Sequence, residues 1–184
     1  MNRLAQLVEA ALFSADSPVS LSELAALDRD STQNEFRAAL DEIREEYSQS
    51  GHGVELVEVA NGYQLLTRRE FAEAIAEAHL VTRPRRLSAA ALETLAIVAY
   101  RQPVGRAEIE EIRGVSVDGV LRSLQDRGLI GCVGRGEGMG RPLLYGTTPA
   151  FLELLGVRSL GDLPRLEELS VALRSPFEAG ESVE

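Results

Sequence analysis

The chain repeats itself, and that repeat limits its possible folds more than any other feature. Ala11–Leu27 (ALFSADSPVSLSELAAL) aligns with Ala96–Ile112 (AIVAYRQPVGRAEIEEI) at a constant offset of 85. Pro18 then meets Pro103, Val19 meets Val104, Glu23 meets Glu108, Leu24 meets Ile109 and Leu27 meets Ile112. Further on, Thr67–Ile75 (TRREFAEAI) aligns with Thr147–Leu155 (TTPAFLELL) at an offset of 80, keeping Thr, Phe and an aliphatic residue at the same spacing. Two matched blocks in the same order describe one module used twice.

Both copies carry the same local signals. In the first, an apolar stripe of Leu4, Val8, Ala11, Leu12 and Ala15 predicts a helix over about 3–15. Ser20 with Glu23, and Thr32 with Glu35, are spaced as capping boxes that open a short and a long helix. Phe36, Leu40, Ile43 and Tyr47 make the long helix's buried stripe, and SGHG stops it. VELVEVANGYQLLT reads as two strands about an Asn61-Gly62 turn, and a closing helix is expected over roughly 68–80, with His79 near its end. In the second copy, Ser88 caps a helix expected to bury Leu92, Leu95, Ala96 and Ala99. Gly105 and Glu108 stand where Ser20 and Glu23 stood. IRGV makes a turn, and Ser116 is expected to cap a third helix that buries Val117, Val120, Leu121 and Leu124 and ends at Gly128. Two strands follow, LIGCV and PLLYGT, and then a helix capped by Thr148 with Pro149 at its first position.

Three helices followed by a β hairpin, twice over, make an α+β fold of tandem winged-helix domains: helix-turn-helix units with a β wing. The expected division is residues 1–82, residues 83–160 after the TRPRRLS linker, and a flexible acidic tail over 161–184 in which Leu166, Leu169 and Leu173 form a short apolar pattern before Pro176.

Chemistry finds little to work with. The single cysteine, Cys132, rules out an internal disulfide and fits a reducing compartment. His52 and His79 form no metal-ligand spacing with it. The acidic pairs Asp41/Glu45 and Glu42/Glu46 lie one turn apart on a helix face without histidine, which reads as a solvated face. GCVGRGEGMGR leads into a strand, whereas phosphate-binding loops open a helix, so it reads as a wing tip. No apolar run reaches the roughly 20 residues of a membrane span. The expectation is a cytoplasmic protein with no enzymatic activity, cofactor or metal, and no membrane contact.

Charge bears on DNA. The formal net charge is -10 with no lysine at all. Residues 1–82 hold 6 arginines against 15 acids, while residues 83–158 hold 11 against 8. The third helix of the second copy exposes Asp118, Arg122, Ser123, Gln125, Asp126 and Arg127, a weak groove reader. Its counterpart in the first carries Glu35, Asp41, Glu42, Glu45 and Glu46, which phosphates would repel. DNA-binding domains usually have a pI above about 9. A protein partner is therefore favoured over DNA, whose contact is expected to be weak or confined to an assembled complex. A DNA-binding regulator built of tandem winged helices is the alternative. The candidate partner-binding residues are Tyr100, Arg101, Pro103, Val104, Arg113, Gly119 and Arg122, with Arg135 and Arg141 on the wing. Arginine and aromatic residues beside apolar surface are the usual carriers of interface energy.

LETLAIVAYRQPVGRAEIEEIRGVSVDGVLRSLQDRGLI, with GRPLLYGTTPAFLELLGVRSLGDLP, strongly resembles the bacterial segregation and condensation protein B family. The likeness is dense over Leu87–Pro164 and looser over 1–82. It implies tandem winged helices, a homodimer formed mainly by the first module, and a complex made mainly by the second with the kleisin, segregation and condensation protein A. Through the kleisin it implies association with the SMC ATPase for chromosome condensation and segregation. The chain departs from the family wording at Gly105, often Thr there, at VSVDGV, where an Asn-Ser-Asp-Gly wording is commoner, and at Cys132 and Met139.

Overall fold

A computed structural model describes residues 1–49, 51–78, 86–137, 140–165 and 168. The expectations about His79, the linker residues 82–85, Met139, and Leu166, Leu169, Leu173 and Pro176 fall outside the described residues.

Both capping boxes form and set the first half. Helix α1 (Arg3–Ser14) starts from Asn2, whose side chain accepts from the Ala5 N–H, a cap the sequence reading missed. Helix α2 (Leu21–Ala25) is short, and Ser20 and Glu23 cap it reciprocally. Helix α3 (Gln33–Ser48) opens on the Thr32–Glu35 box. Its stripe buries Phe36, Ala39, Leu40 and Ile43 against Ala5, Val8 and Leu12 of α1 and Leu24 of α2. Strands β1 (Val54–Val59) and β2 (Gly62–Thr67) pair antiparallel, with Leu56 facing that core.

The hairpin turn sits one residue earlier than expected. Its two central residues are Ala60 and Asn61, at φ 50 and 59, because Val59 pairs with Gly62. Gly62 is needed for another reason. A Cβ there would lie 3.0 Å from the Val19 carbonyl carbon and oxygen and 3.1 Å from the Pro18 carbonyl carbon. That approach lets Val19 and Tyr63 exchange two backbone hydrogen bonds of 2.9 Å each. The closing segment is a 3-10 turn, Arg69–Phe71, and one short helix, α4 (Ala72–Glu77).

The second half follows the same plan: α5 (Ala89–Arg101), β3 (Val104–Gly105), α6 (Arg106–Arg113), α7 (Asp118–Asp126), β4 (Ile130–Arg135), β5 (Leu143–Thr147) and α8 (Pro149–Leu155). The sheet order is β3-β5-β4, so Pro103-Val104 lies along β5 as Pro18-Val19 lies along β2. Here too the repeat unit carries both letters and geometry. The core joins Leu95, Val98, Val104, Ile109, Leu121, Leu124 and Phe151.

Several expectations need correction. Leu92 and Ala96 are exposed; the buried side of α5 is Ala91, Thr94, Leu95, Val98 and Ala99. Helix α7 starts one residue later, with Val117 rather than Ser116 at the N-cap, because buried Val117 anchors the turn and its N–H is accepted by Glu110 Oε1 at 3.2 Å. Thr148 occupies the N-cap of α8, but its hydroxyl donates to the Gly128 carbonyl instead of capping. Matched phenylalanines differ: Phe151, inside α8, is buried, whereas Phe71, in the 3-10 turn ahead of α4, is 42% exposed. Residues past 160 begin with a capped turn, Leu160–Asp162, and Leu163 packs on the second core. The two halves also touch. The hairpin-tip N–H groups of Ala60 and Asn61 donate to the carbonyls of Val157 and Arg158 at 3.0 and 2.8 Å.

Candidate partner-binding surface

The candidate residues separate by burial. Val104 is fully buried in β3 and cannot meet a partner, because the sheet needs it as core. Tyr100 is half-buried against the second core, and its hydroxyl donates to the Pro164 carbonyl at 2.7 Å. Arg113 ends α6 with its side chain only 14% exposed. It donates to the Ala90 carbonyl at 2.7 Å and Thr94 Oγ1 at 2.8 Å, and pairs with Glu93 at 2.9 Å. Tyr100 and Arg113 therefore hold their own unit together.

Arg101, Pro103, Gly119 and Arg122 are exposed. Among the described residues, Arg101 and Arg122 make no hydrogen bond or ion pair. Gly119 and Arg122 are three apart on α7, hence on one face. A Cβ at Gly119 would meet nothing within 4 Å, so no packing inside the chain requires glycine there. Arg135 and Arg141 are brought together across the β4–β5 hairpin, with Arg135 Nη1 3.5 Å from the Arg141 carbonyl oxygen.

The electrostatics of the helix pair explain the weak groove reader. Asp118, in the first turn of α7, accepts a hydrogen bond from Arg106, which also lies 3.8 Å from Glu110. That hydrogen bond, and then the two carboxylate charges, hold the Arg106 guanidinium above its ordinary pKa. A cation that could have met phosphate is spent inside the protein. In the first half, Asp41 pairs with Arg44 at 2.7 Å and Glu42 pairs with the N-terminal ammonium at 3.1 Å.

One surface was missed in the sequence. Leu87, Leu92, Leu154 and Leu155 line a groove of about 830 Å³ that exposed Arg86 and Arg127 also border. Leu92 is 53% exposed, Leu154 50% and Leu155 48%. The pattern assigned Leu92 to the core because helical spacing alone cannot tell a stripe facing the core from one facing a groove. Among the described residues no group of His, Cys, Asp and Glu could hold a metal ion, and no helix is long and apolar enough to cross a membrane.

Fold and surface together define a class: a protein of mixed helices and small sheets, built on one plan used twice, whose exposed features suit contact with macromolecules. The family described as segregation and condensation complex subunit ScpB matches residues 6–166, and the chain belongs to that family. It is 49% identical over 183 residues to segregation and condensation protein B of Syntrophotalea carbinolica, covering 96% of this chain and 92% of the relative. It is 49% identical over 175 residues to the protein of the same name from Moorella thermoacetica, covering 94% and 88%. Among solved structures it is similar to ScpB from Mycobacterium tuberculosis, at 38% identity and TM-score 0.39 over 84% of this chain and 95% of that one. It is also similar to the dimer of an ScpB N-terminal domain complexed with ScpA peptide, at 29% identity and TM-score 0.38 over 40% and 91%.

Proposed function

We propose that the chain is a non-enzymatic, cytoplasmic adaptor of the segregation and condensation complex, made of two winged-helix domains over residues 1–82 and 83–160. It pairs with a second copy mainly through the first domain. It holds the kleisin, segregation and condensation protein A, mainly through the second, and so reaches the SMC ATPase. The observation that carries this reading is the family match across 6–166, which spans both repeats. Arg101 and Arg122, exposed and unpaired among the described residues, and exposed Pro103 beside Arg101 support a protein contact on the second half.

Calorimetry with the kleisin tests it. Arg101→Glu with Arg122→Glu is expected to weaken binding at least tenfold, a loss of about 1.4 kcal/mol. Thermal stability should stay nearly unchanged, since exposed charges contribute little to folding. Binding within twofold of wild type would move the kleisin off these arginines. Tight duplex-DNA binding at physiological salt, with no kleisin binding, would instead favour the DNA-regulator reading.

A further inference from the structure

The turn at the tip of the β1–β2 hairpin is not the one its own hairpin would choose. A two-residue turn with positive φ at both central positions favours Asn, Asp or Gly there. Asn61, at φ 59, meets that preference. Ala60, at φ 50, does not, because a Cβ crowds the backbone in the left-handed region. What alanine supplies is a methyl group, and Ala60 packs against the core of the second half. The strained residue is explained by a neighbour outside its own half.

The backbone adds a second observation. The register pairs Val59 with Gly62 and leaves the Ala60 and Asn61 N–H groups outside the ladder. They donate instead to the Val157 and Arg158 carbonyls, at 3.0 and 2.8 Å. Those acceptors are positioned by bonds of the second half itself. The Val157 N–H donates to the Leu152 carbonyl at 3.1 Å. Asp162 accepts from the Arg158 and Ser159 N–H groups at 3.1 Å each, and from Arg158 Nη2 at 3.0 Å. The other copy lacks this tip: seven residues, Gly136–Pro142, stand between β4 and β5 where two stand between β1 and β2. We infer that the first hairpin's tip is a clasp. Seated, it holds the two halves in one orientation; withdrawn, it lets the second half turn against the first. Two backbone hydrogen bonds and one methyl make a small joint, and domains joined by small interfaces move against each other. The clasp belongs to this chain alone and does not rest on the adaptor reading; it sets the angle between whatever the two halves carry.

Nuclear magnetic resonance on the full chain, with no partner present, tests it. The Ala60 and Asn61 amides are expected to exchange hydrogen at least about tenfold more slowly than in an unstructured chain. Residual dipolar couplings from the two halves should fit one alignment. Ala60→Asn keeps a residue that tolerates positive φ and replaces the methyl with a polar amide. It should speed exchange at both tip amides at least about tenfold and give the halves separate alignments, while the Val19 and Tyr63 amides stay protected. Asp162→Ala, on the other side of the joint, should have the same effect on the tip amides. The clasp is overturned by wild-type tip amides that exchange freely, by halves that align separately in the wild type, or by tip protection that survives both variants. If Ala60→Asn also frees Val19 and Tyr63, the hairpin itself has opened and Asp162→Ala decides: unchanged protection at the tip then overturns the clasp. Failure on any of these counts leaves the adaptor reading standing, since kleisin calorimetry measures that separately.

Discussion

Arg113 separates a structural cation from an interface cation, and its replacement by methionine has a calculable cost. The guanidinium joins the end of α6 to the first turns of α5 by hydrogen bonds of 2.7 Å to the Ala90 carbonyl and 2.8 Å to Thr94 Oγ1. Thr94 is fully buried, and its hydroxyl itself donates to the Ala90 carbonyl at 2.9 Å, so neither group is orphaned when the arginine leaves. The loss is therefore nearer the net value of a hydrogen bond from a charged donor, about 1.5–3 kcal/mol, than the cost of stranding a buried polar group. The pair with Glu93, whose side chain is 62% exposed, adds less than about 1 kcal/mol. Methionine keeps the apolar stem in place. Arg113→Met should destabilise the protein by about 2 kcal/mol, read as a fall of about 4–8 °C in thermal midpoint. Hydrogen exchange should place the loss in α5 and α6. Glu93→Gln should cost less than about 0.5 kcal/mol. If Arg113→Met keeps wild-type stability and kleisin binding falls tenfold, Arg113 is a contact residue and its internal bonds are not what retains it.

Gly119→Ala should raise stability by about 0.5–1 kcal/mol, because the added methyl meets open space and alanine is the better helix former; a lower urea midpoint would refute this. Gly62→Ala should cost about 1–3 kcal/mol, since its Cβ would press on the backbone of Pro18 and Val19, which cannot rotate away; hydrogen exchange should show the Val19–Tyr63 pairing weakened, and an unchanged midpoint would refute it. Tyr47 donates to Glu9, and that hydrogen bond, with burial and the Glu9 charge, pushes its pKa up to about 12. Its stabilising contribution is complete below the ordinary tyrosine value and is lost as pH rises through about 12. Ultraviolet titration should show Glu9→Gln lowering the Tyr47 value, and an unmoved value would refute the assignment.

The fold was largely legible because its determinants are local. The boxes Ser20/Glu23 and Thr32/Glu35 are read from spacing, and each forms. The matched Pro-Val pairs marked the repeat, and in the structure Val19 pairs with Tyr63 and Val104 with Tyr145, each on the second strand of its hairpin. What failed was tertiary. Val104 and Leu92 exchange places relative to expectation because the two-residue strand beside β5 buries its valine, while Leu92 faces the groove it shares with Leu154 and Leu155. Arg113 looked exposed because a last-turn arginine usually is; its partner Thr94 lies 19 residues away, and only the fold brings the two together. The groove was invisible for the same reason: Leu92 and Leu154 belong to segments that spacing reads separately.

An acidic chain can carry a helix-turn-helix pattern because of where its charges are used. Asp118 and Glu110 occupy the joint between α6 and α7, where one engages Arg106 and the other also caps the Val117 N–H. The pair of helices is thus fastened by carboxylates at the end a DNA reader would present to phosphate. A carboxylate in the first turn stabilises the positive end of α7 and cancels its attraction for an anion. Arg101, Arg122 and Arg86 remain on the surface, and Arg86 lies beside exposed leucines. Phosphate backbones reward many cations in a row and gain nothing from leucine. A protein helix rewards a few arginines set beside apolar surface. The distribution of charge, more than its total, turns a shape associated with DNA into a surface suited to a protein.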